Sequence, residues 1–114
     1  CELGACGTCT VLLDGTLALA CLLLPIAVQG QEILTIEGMA IGSTLHEPQN
    51  TFSELGAAQC GYCTPGMPLT AMALLRTNPI PDRQQIKEAL AGNLCRCTGY
   101  VKIIEAVELA AQRC

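Results

Sequence analysis

The placement of cysteines constrains this chain more than any other feature of its sequence. Nine of the 114 residues are cysteines, and eight of them divide into two sets of four. The first set is Cys1, Cys6, Cys9 and Cys21, the second is Cys60, Cys63, Cys95 and Cys97, and Cys114 stands alone at the chain end. Thiolate sulfur binds both zinc and iron, so two metal sites compete with disulfides as the explanation.

The spacing within each set favours iron–sulfur clusters. The first three cysteines and a distant fourth follow the plant-type C-x4-C-x2-C pattern, which holds a [2Fe–2S] cluster. Cys95 and Cys97 are too close in sequence to bridge each other well but are suited to bind one metal centre. An odd cysteine count in apolar sequence also argues against a disulfide framework. Zinc held by Cys60, Cys63 and the later pair remains an alternative. We expect one cluster on each set of four, with Cys114 a spare thiol.

Charge and length exclude several functions. The net charge is −4 with only six Lys and Arg, which argues against a nucleic-acid surface. Residues 16–28 are almost wholly apolar but are fewer than the roughly 20 needed to span a bilayer. They predict a buried strand followed by a loop, and no transmembrane segment.

The chain opens on a motif cysteine without an initiator Met, so we expect a missing N-terminal part. We expect a cytoplasmic location, with the periplasm as the alternative.

The first third of the chain has strand-forming sequence. Strands are predicted at residues 10–13 and 17–23, on either side of an Asp14–Gly15 turn, and at residues 31–37. Cys21 would then lie on the return strand, close in space to the first three cysteines.

From about residue 47 the apolar residues recur at helical spacing. Helices are predicted at residues 48–58, 65–76, 83–91 and 100–111, with Asp82 and Gln85 as a capping box before the third. The two later cysteine pairs would each lie just before a helix. Free N–H groups and a partial positive charge at those helix ends favour an anionic, thiolate-bound cluster. The expected fold is therefore α+β, a short sheet followed by a four-helix bundle.

Three motifs resemble the iron–sulfur small subunits of the xanthine dehydrogenase and aldehyde oxidase family of molybdenum hydroxylases, which includes aerobic carbon-monoxide dehydrogenases. They are CELGACGTC at residues 1–9, QCGYCTPG at residues 59–66 and NLCRCTGY at residues 93–100. The segment TIEG at residues 35–38 is similar to the linker between that family's two domains. The resemblance covers nearly the whole chain in order.

The resemblance implies a partial β-grasp, plant-type ferredoxin domain at residues 1–40, followed by a four-helix [2Fe–2S]-binding domain at residues 41–114. It implies electron transfer from molybdopterin in a large partner subunit, through two [2Fe–2S] clusters, to FAD on another subunit. Gln59 and Cys97 would lie near the molybdopterin. No residue is expected to be catalytic, and no substrate turnover is expected from this chain alone.

Two other functions stay open on the residues alone. The chain could be an interaction module stabilised by zinc or disulfides, or a free-standing two-cluster ferredoxin. Because the ferredoxin part lacks its beginning, we also expect residues 1–40 to hold their cluster more weakly than the helical part does. The substrate and final electron acceptor are not encoded in recognisable residues.

Overall fold

The computed structural model describes residues 1–114 and has an α+β fold, as predicted. Its three strands are β1 (Thr10–Leu13), β2 (Thr16–Leu19) and β3 (Ile33–Leu34). Its four helices are α1 (Glu47–Glu54), α2 (Gly66–Thr77), α3 (Arg83–Leu90) and α4 (Val101–Arg113). Short 3-10 turns occupy Ala20–Leu22, Pro25–Val28 and Ile36–Gly38. None of the helices combines the length and the apolar character needed to cross a membrane.

The strands form one antiparallel sheet in the order β2-β1-β3. The β1–β2 hairpin is confirmed, and its turn residues Asp14 and Gly15 both have positive φ, +47° and +80°. Positive φ at both central residues is the requirement of the tight turns that match strand twist. Asp14 also exchanges two hydrogen bonds of 2.9 Å with the backbone of Glu32, which connects the turn to the approach of β3.

The predicted second and third strands are too long. β2 ends at Leu19, and its first half is exposed rather than buried. Cys21 therefore lies on a 3-10 turn and not on the strand, because the Leu23 N–H bonds to the Ala20 carbonyl at 3.2 Å and closes a turn directly after the last ladder bond, from the Ala20 N–H to the Cys9 carbonyl. Pro25 then has no N–H to offer a sheet partner. β3 is reduced to Ile33 and Leu34, because only these two of the residues predicted as the third strand pair with β1.

The helices follow the prediction closely except at the end of α1. The Asp82–Gln85 capping box before α3 is confirmed, with two reciprocal bonds of 2.8 Å. Helix α1 was predicted to reach residue 58 but ends at Glu54. Gly56 has a φ of +61°, and the Ala57 N–H bonds back to the Phe52 carbonyl at 2.9 Å. This left-handed glycine with a backward hydrogen bond is a common helix stop.

Two groups of buried apolar side chains hold these elements together. The larger lies among the helices and includes Phe52, Met67, Ile86, Ile103 and Val107. The smaller is formed by Leu12 of β1, Met39, and Leu69 and Met72 of α2. Helix α2 contributes to both groups, so it connects the sheet to the helical part.

Replacing Ile103 with Ala should destabilise the helical part strongly, because this side chain is fully buried. Large-to-small changes in a packed core cost about 2–5 kcal/mol, and each kcal/mol lowers Tm by about 4–8 °C in a domain of this size. Ile80, which is 88% exposed, is the matched control, and Ile80→Ala should change Tm little. Thermal unfolding of the two variants measures the difference. Equal Tm values would contradict the described core.

Candidate metal centres

The second set of cysteines gathers around one cavity. A cavity of about 440 Å³ is lined by Cys60, Cys63, Cys95 and Cys97, together with Cys6, Tyr62, Leu94 and Arg96. The structure thus brings together the four thiols that the sequence grouped, although the two pairs come from distant parts of the chain. It also places Cys6 of the first set at the edge of the same cavity.

Within this set the thiols lie close enough to change one another's pKa. A hydrogen bond with the Cys60 thiol raises the pKa of Cys97. Burial, reinforced by the Cys95 thiol, raises the pKa of Cys63 to about 11. The backbone N–H of Tyr62 lowers the pKa of Cys60. All four thiols thus influence one another, since the Cys95 thiol also acts on the pKa of Cys60 and of Cys97.

A gathered set of four thiols is the arrangement that a [2Fe–2S] cluster requires. Four thiolates hold its two irons, so the ligands are shared between two metal positions. Four cysteine thiols line one cavity, so its donor set fits a [2Fe–2S] cluster.

The helix ends beside these cysteines lie where the sequence predicted them. Helix α2 begins three residues after Cys63, and α4 begins four residues after Cys97. Neither helix start has a side chain that caps its N–H groups. A partial positive charge at both ends thus faces the segments that carry the thiols, which favours bound anionic sulfur.

In the first set Cys1 is exposed, and Cys6, Cys9 and Cys21 are half-buried. The Cys9 thiol raises the pKa of Cys21, and the main-chain nitrogen of Cys1 lies 3.9 Å from Cys6 Sγ. The backbone N–H and the hydroxyl of Thr8 lower the pKa of Cys6. The 3-10 turn of Cys21, rather than a strand, is what brings this thiol to the loop.

The remaining predicted residues differ in exposure. Gln59 and Cys97 are both exposed, at the outer edge of the second set, whereas Cys63 is buried and Cys95 is half-buried. Cys114 is exposed at the end of α4 and does not line the cavity.

Sequence reasoning assigned no role to Asn93, which the structure places at the junction of the two sets. Its side chain is only 4% exposed. Its Nδ2 donates to the Gly7 carbonyl at 3.0 Å and to Thr10 Oγ1 at 3.3 Å, and its Oδ1 accepts from Thr70 Oγ1 at 3.0 Å. The next backbone N–H, that of Leu94, donates to the Cys6 carbonyl at 2.8 Å. The sequence feature that could have indicated this role is the position of Asn93 directly before the Leu-Cys-Arg-Cys motif.

The two cysteine loops also approach each other too closely for side chains. A Cβ on Gly66 would collide with the Gly7 carbonyl oxygen, and a Cβ on Gly7 would collide with Gly92 and Asn93. Gly7 additionally has a φ of +73°, which L side chains avoid. Glycine is therefore required where the first loop meets the start of α2.

Comparisons with known proteins agree with this geometry. The family described as "[2Fe-2S] binding domain" matches residues 35–108. The "Nicotinate dehydrogenase small FeS subunit" of Eubacterium barkeri is 49% identical over 114 residues, 100% of this chain and 73% of that protein. The "Xanthine dehydrogenase iron-sulfur-binding subunit" of Escherichia coli is 46% identical over 110 residues, 94% of this chain and 69% of that protein.

Among solved structures, quinoline 2-oxidoreductase from Pseudomonas putida 86 superposes with a TM-score of 0.91 at 46% identity. The match covers 99% of this chain and 73% of that one. Fold, cysteine arrangement and relatives together define a [2Fe–2S] protein of a redox complex. The chain belongs to the iron–sulfur small subunits of the molybdenum hydroxylase family, that of xanthine dehydrogenase and aldehyde oxidase, which confirms the resemblance of its motifs.

Replacing Asn93 with Ala should loosen the first cysteine loop from the helices. The change removes the partners of Gly7, Thr10 and Thr70, and a buried group left without its hydrogen bond costs about 1–3 kcal/mol. Hydrogen exchange at the amides of residues 6–10 should accelerate more than at those of α4. Asn78→Ala, which removes one exposed bond to Gln85, is the control and should leave both regions unchanged. Unaltered protection of residues 6–10 in the Asn93 variant would contradict the assigned role.

Proposed function

We propose that this chain relays single electrons through two [2Fe–2S] clusters. Electrons enter from molybdopterin in a large partner subunit and leave to FAD on another subunit. Substrate oxidation takes place on the partner, and this chain turns over no substrate by itself. The observation that supports the proposal best is the meeting of the two cysteine sets, where Cys6 of the first lines the cavity of the second.

The proposed ligands are the two sets of four cysteines. Cys60 with Cys97 would hold one iron of the second cluster, and Cys63 with Cys95 the other. Cys1 with Cys6 and Cys9 with Cys21 would do the same for the first. A bound [2Fe–2S] cluster supplies one-electron transfer, at a potential that hydrogen bonds to sulfur and solvent exposure adjust.

The chain's own residues would fix where each cluster lies and how it is solvated. The Leu94–Cys6 hydrogen bond and the Asn93 side chain hold one set of ligands at a constant distance from the other. Backbone N–H groups near Cys6 and Cys60 lower the pKa of these thiols, which favours the thiolate that binds iron. The burial of Cys63 keeps water from one side of the second site.

The two-domain division also belongs to this proposal. Residues 1–40 would form the ferredoxin-type domain, and residues 41–114 the helical one. The boundary is supported by the Ile36–Gly38 turn, which leads from the sheet toward α1. The joining of both parts by α2 means that they would act as one rigid carrier.

The proposed orientation of the relay is the one that the resemblance to the family implies, and exposure is compatible with it. Cys97 and Gln59 are both exposed, so the second cluster would be approached from this side by the molybdopterin of the partner. The first cluster would then lie nearer the FAD. A cytoplasmic location for the complex stays a prediction.

Replacing Cys63 with Ser should remove the second cluster and leave the first. Iron should fall from about four to about two atoms per chain, since each [2Fe–2S] cluster holds two irons. Cys114→Ser makes the same atomic change outside both sets and should leave the iron content unchanged. Iron and acid-labile sulfide assays on protein prepared without oxygen measure both. If the Cys63 variant keeps all its iron, or if wild-type protein carries zinc and no iron, the proposed function is wrong.

A further inference from the structure

The segment after Cys97 places the hydroxyl of Thr98 against the Cys95 thiol. Thr98 Oγ1 lies 3.0 Å from Cys95 Sγ, a hydrogen-bond contact. The Tyr100 N–H donates to the same Thr98 oxygen at 3.2 Å. Both Thr98 and Cys95 are half-buried, so this contact is partly shielded from solvent.

The direction of the Thr98–Cys95 bond follows from the chemistry of its two atoms. A thiolate that binds iron has no proton, so its sulfur can only accept. The Thr98 oxygen already accepts from Tyr100, which leaves its own proton free to donate. The hydroxyl of Thr98 therefore points its proton at the sulfur.

The Tyr100 side chain holds this arrangement in place. Its hydroxyl accepts the Cys95 N–H at 2.8 Å and donates to the Asn93 carbonyl at 3.0 Å. Its backbone has a φ of +68°, a left-handed conformation that is uncommon outside glycine. Burial raises the pKa of Cys95, but hydrogen bonds from the hydroxyl and N–H of Thr98 and from the N–H of Cys97 outweigh it, and the pKa is lowered.

We propose that Thr98 is a positioning residue that raises the reduction potential of the second cluster through its hydrogen bond to Cys95. Reduction adds one electron, and part of its charge falls on the ligand sulfurs. A donated O–H bond stabilises that added charge more than it stabilises the oxidised state, and hydrogen bonds to sulfur are one of the factors that set such potentials. The inference rests on the proposed function, since it requires a cluster at this site.

The test compares three variants of the full chain by redox titration followed with low-temperature EPR. Thr98→Val removes the hydroxyl with little change in shape, and Thr98→Ser keeps it. Thr64→Val makes the same change beside Cys63, whose pKa is governed by burial, by Cys95 and by its own backbone and not by Thr64. The signal of the second cluster is the one that disappears in Cys63→Ser.

We expect Thr98→Val to lower the potential of the second cluster only. A tenfold change in its one-electron equilibrium corresponds to about 59 mV, and the shift should be at least of this order. Thr98→Ser should restore the wild-type potential, and Thr64→Val should leave it unchanged. If Thr98→Val loses its iron, Thr98→Ala provides the same comparison.

An unshifted potential in a Thr98→Val variant with full iron content would overturn the inference while leaving the relay intact. An equal shift in Thr64→Val would also overturn the inference, because the potential would then respond to the loss of any nearby hydroxyl and not to the Thr98–Cys95 hydrogen bond. Loss of the proposed function itself would be recognised separately, by the absence of iron and of both EPR signals in the wild-type chain.

Discussion

The buried amide of Asn93 is the contact on which the arrangement of both cysteine sets depends. It hydrogen-bonds to Gly7 and Thr10 in the first part of the chain and to Thr70 on α2, and it lies two residues before Cys95. A buried amide gains little net free energy from its bonds, but leaving its partners unpaired costs more than any one bond contributes. The chain is therefore held to one relative placement of the two loops.

This placement explains why the contact is made mostly by backbone. Gly7 and Gly66 allow two loops to touch where a single methyl group would collide with a carbonyl oxygen. The Leu94–Cys6 bond then connects residues that are themselves a ligand, or next to one, in the proposed clusters. A relay of single electrons benefits from short, fixed separations, and a backbone contact is less variable than one through long side chains. Helix α2 stabilises the contact between the two loops, because its residues belong to both groups of buried apolar side chains.

Local signals in the sequence predicted much of this fold. The Asp14–Gly15 turn and the Asp82–Gln85 capping box were both found where expected, because each depends on residues a few positions apart. The helices after the cysteine pairs were also found, since apolar residues recur in both at helical spacing and Pro65 directly precedes α2. The grouping of Cys60 and Cys63 with Cys95 and Cys97 was indicated by spacing, and the structure places all four around one cavity.

What sequence reasoning missed depends on contacts between distant residues. Cys21 was placed on a strand because its neighbours are apolar, but the 3-10 turn closed by the Leu23 N–H and the Ala20 carbonyl ends β2 early. Asn93 belongs to a recognisable motif but received no role, because its partner Gly7 lies 86 positions away. The Thr98–Cys95 contact belongs to the turn at residues 95–100, which ends at the left-handed backbone of Tyr100, and no residue preference indicates this conformation.

The central claim is that two [2Fe–2S] clusters lie side by side in one rigid chain. The most direct measurement is low-temperature EPR of the dithionite-reduced protein, recorded at full and at half reduction. Two distinct signals are predicted, broadened or split by magnetic interaction with each other only when both centres are reduced. A single signal, or two that are unaffected by each other's reduction, would contradict the described contact between the two sets of cysteines.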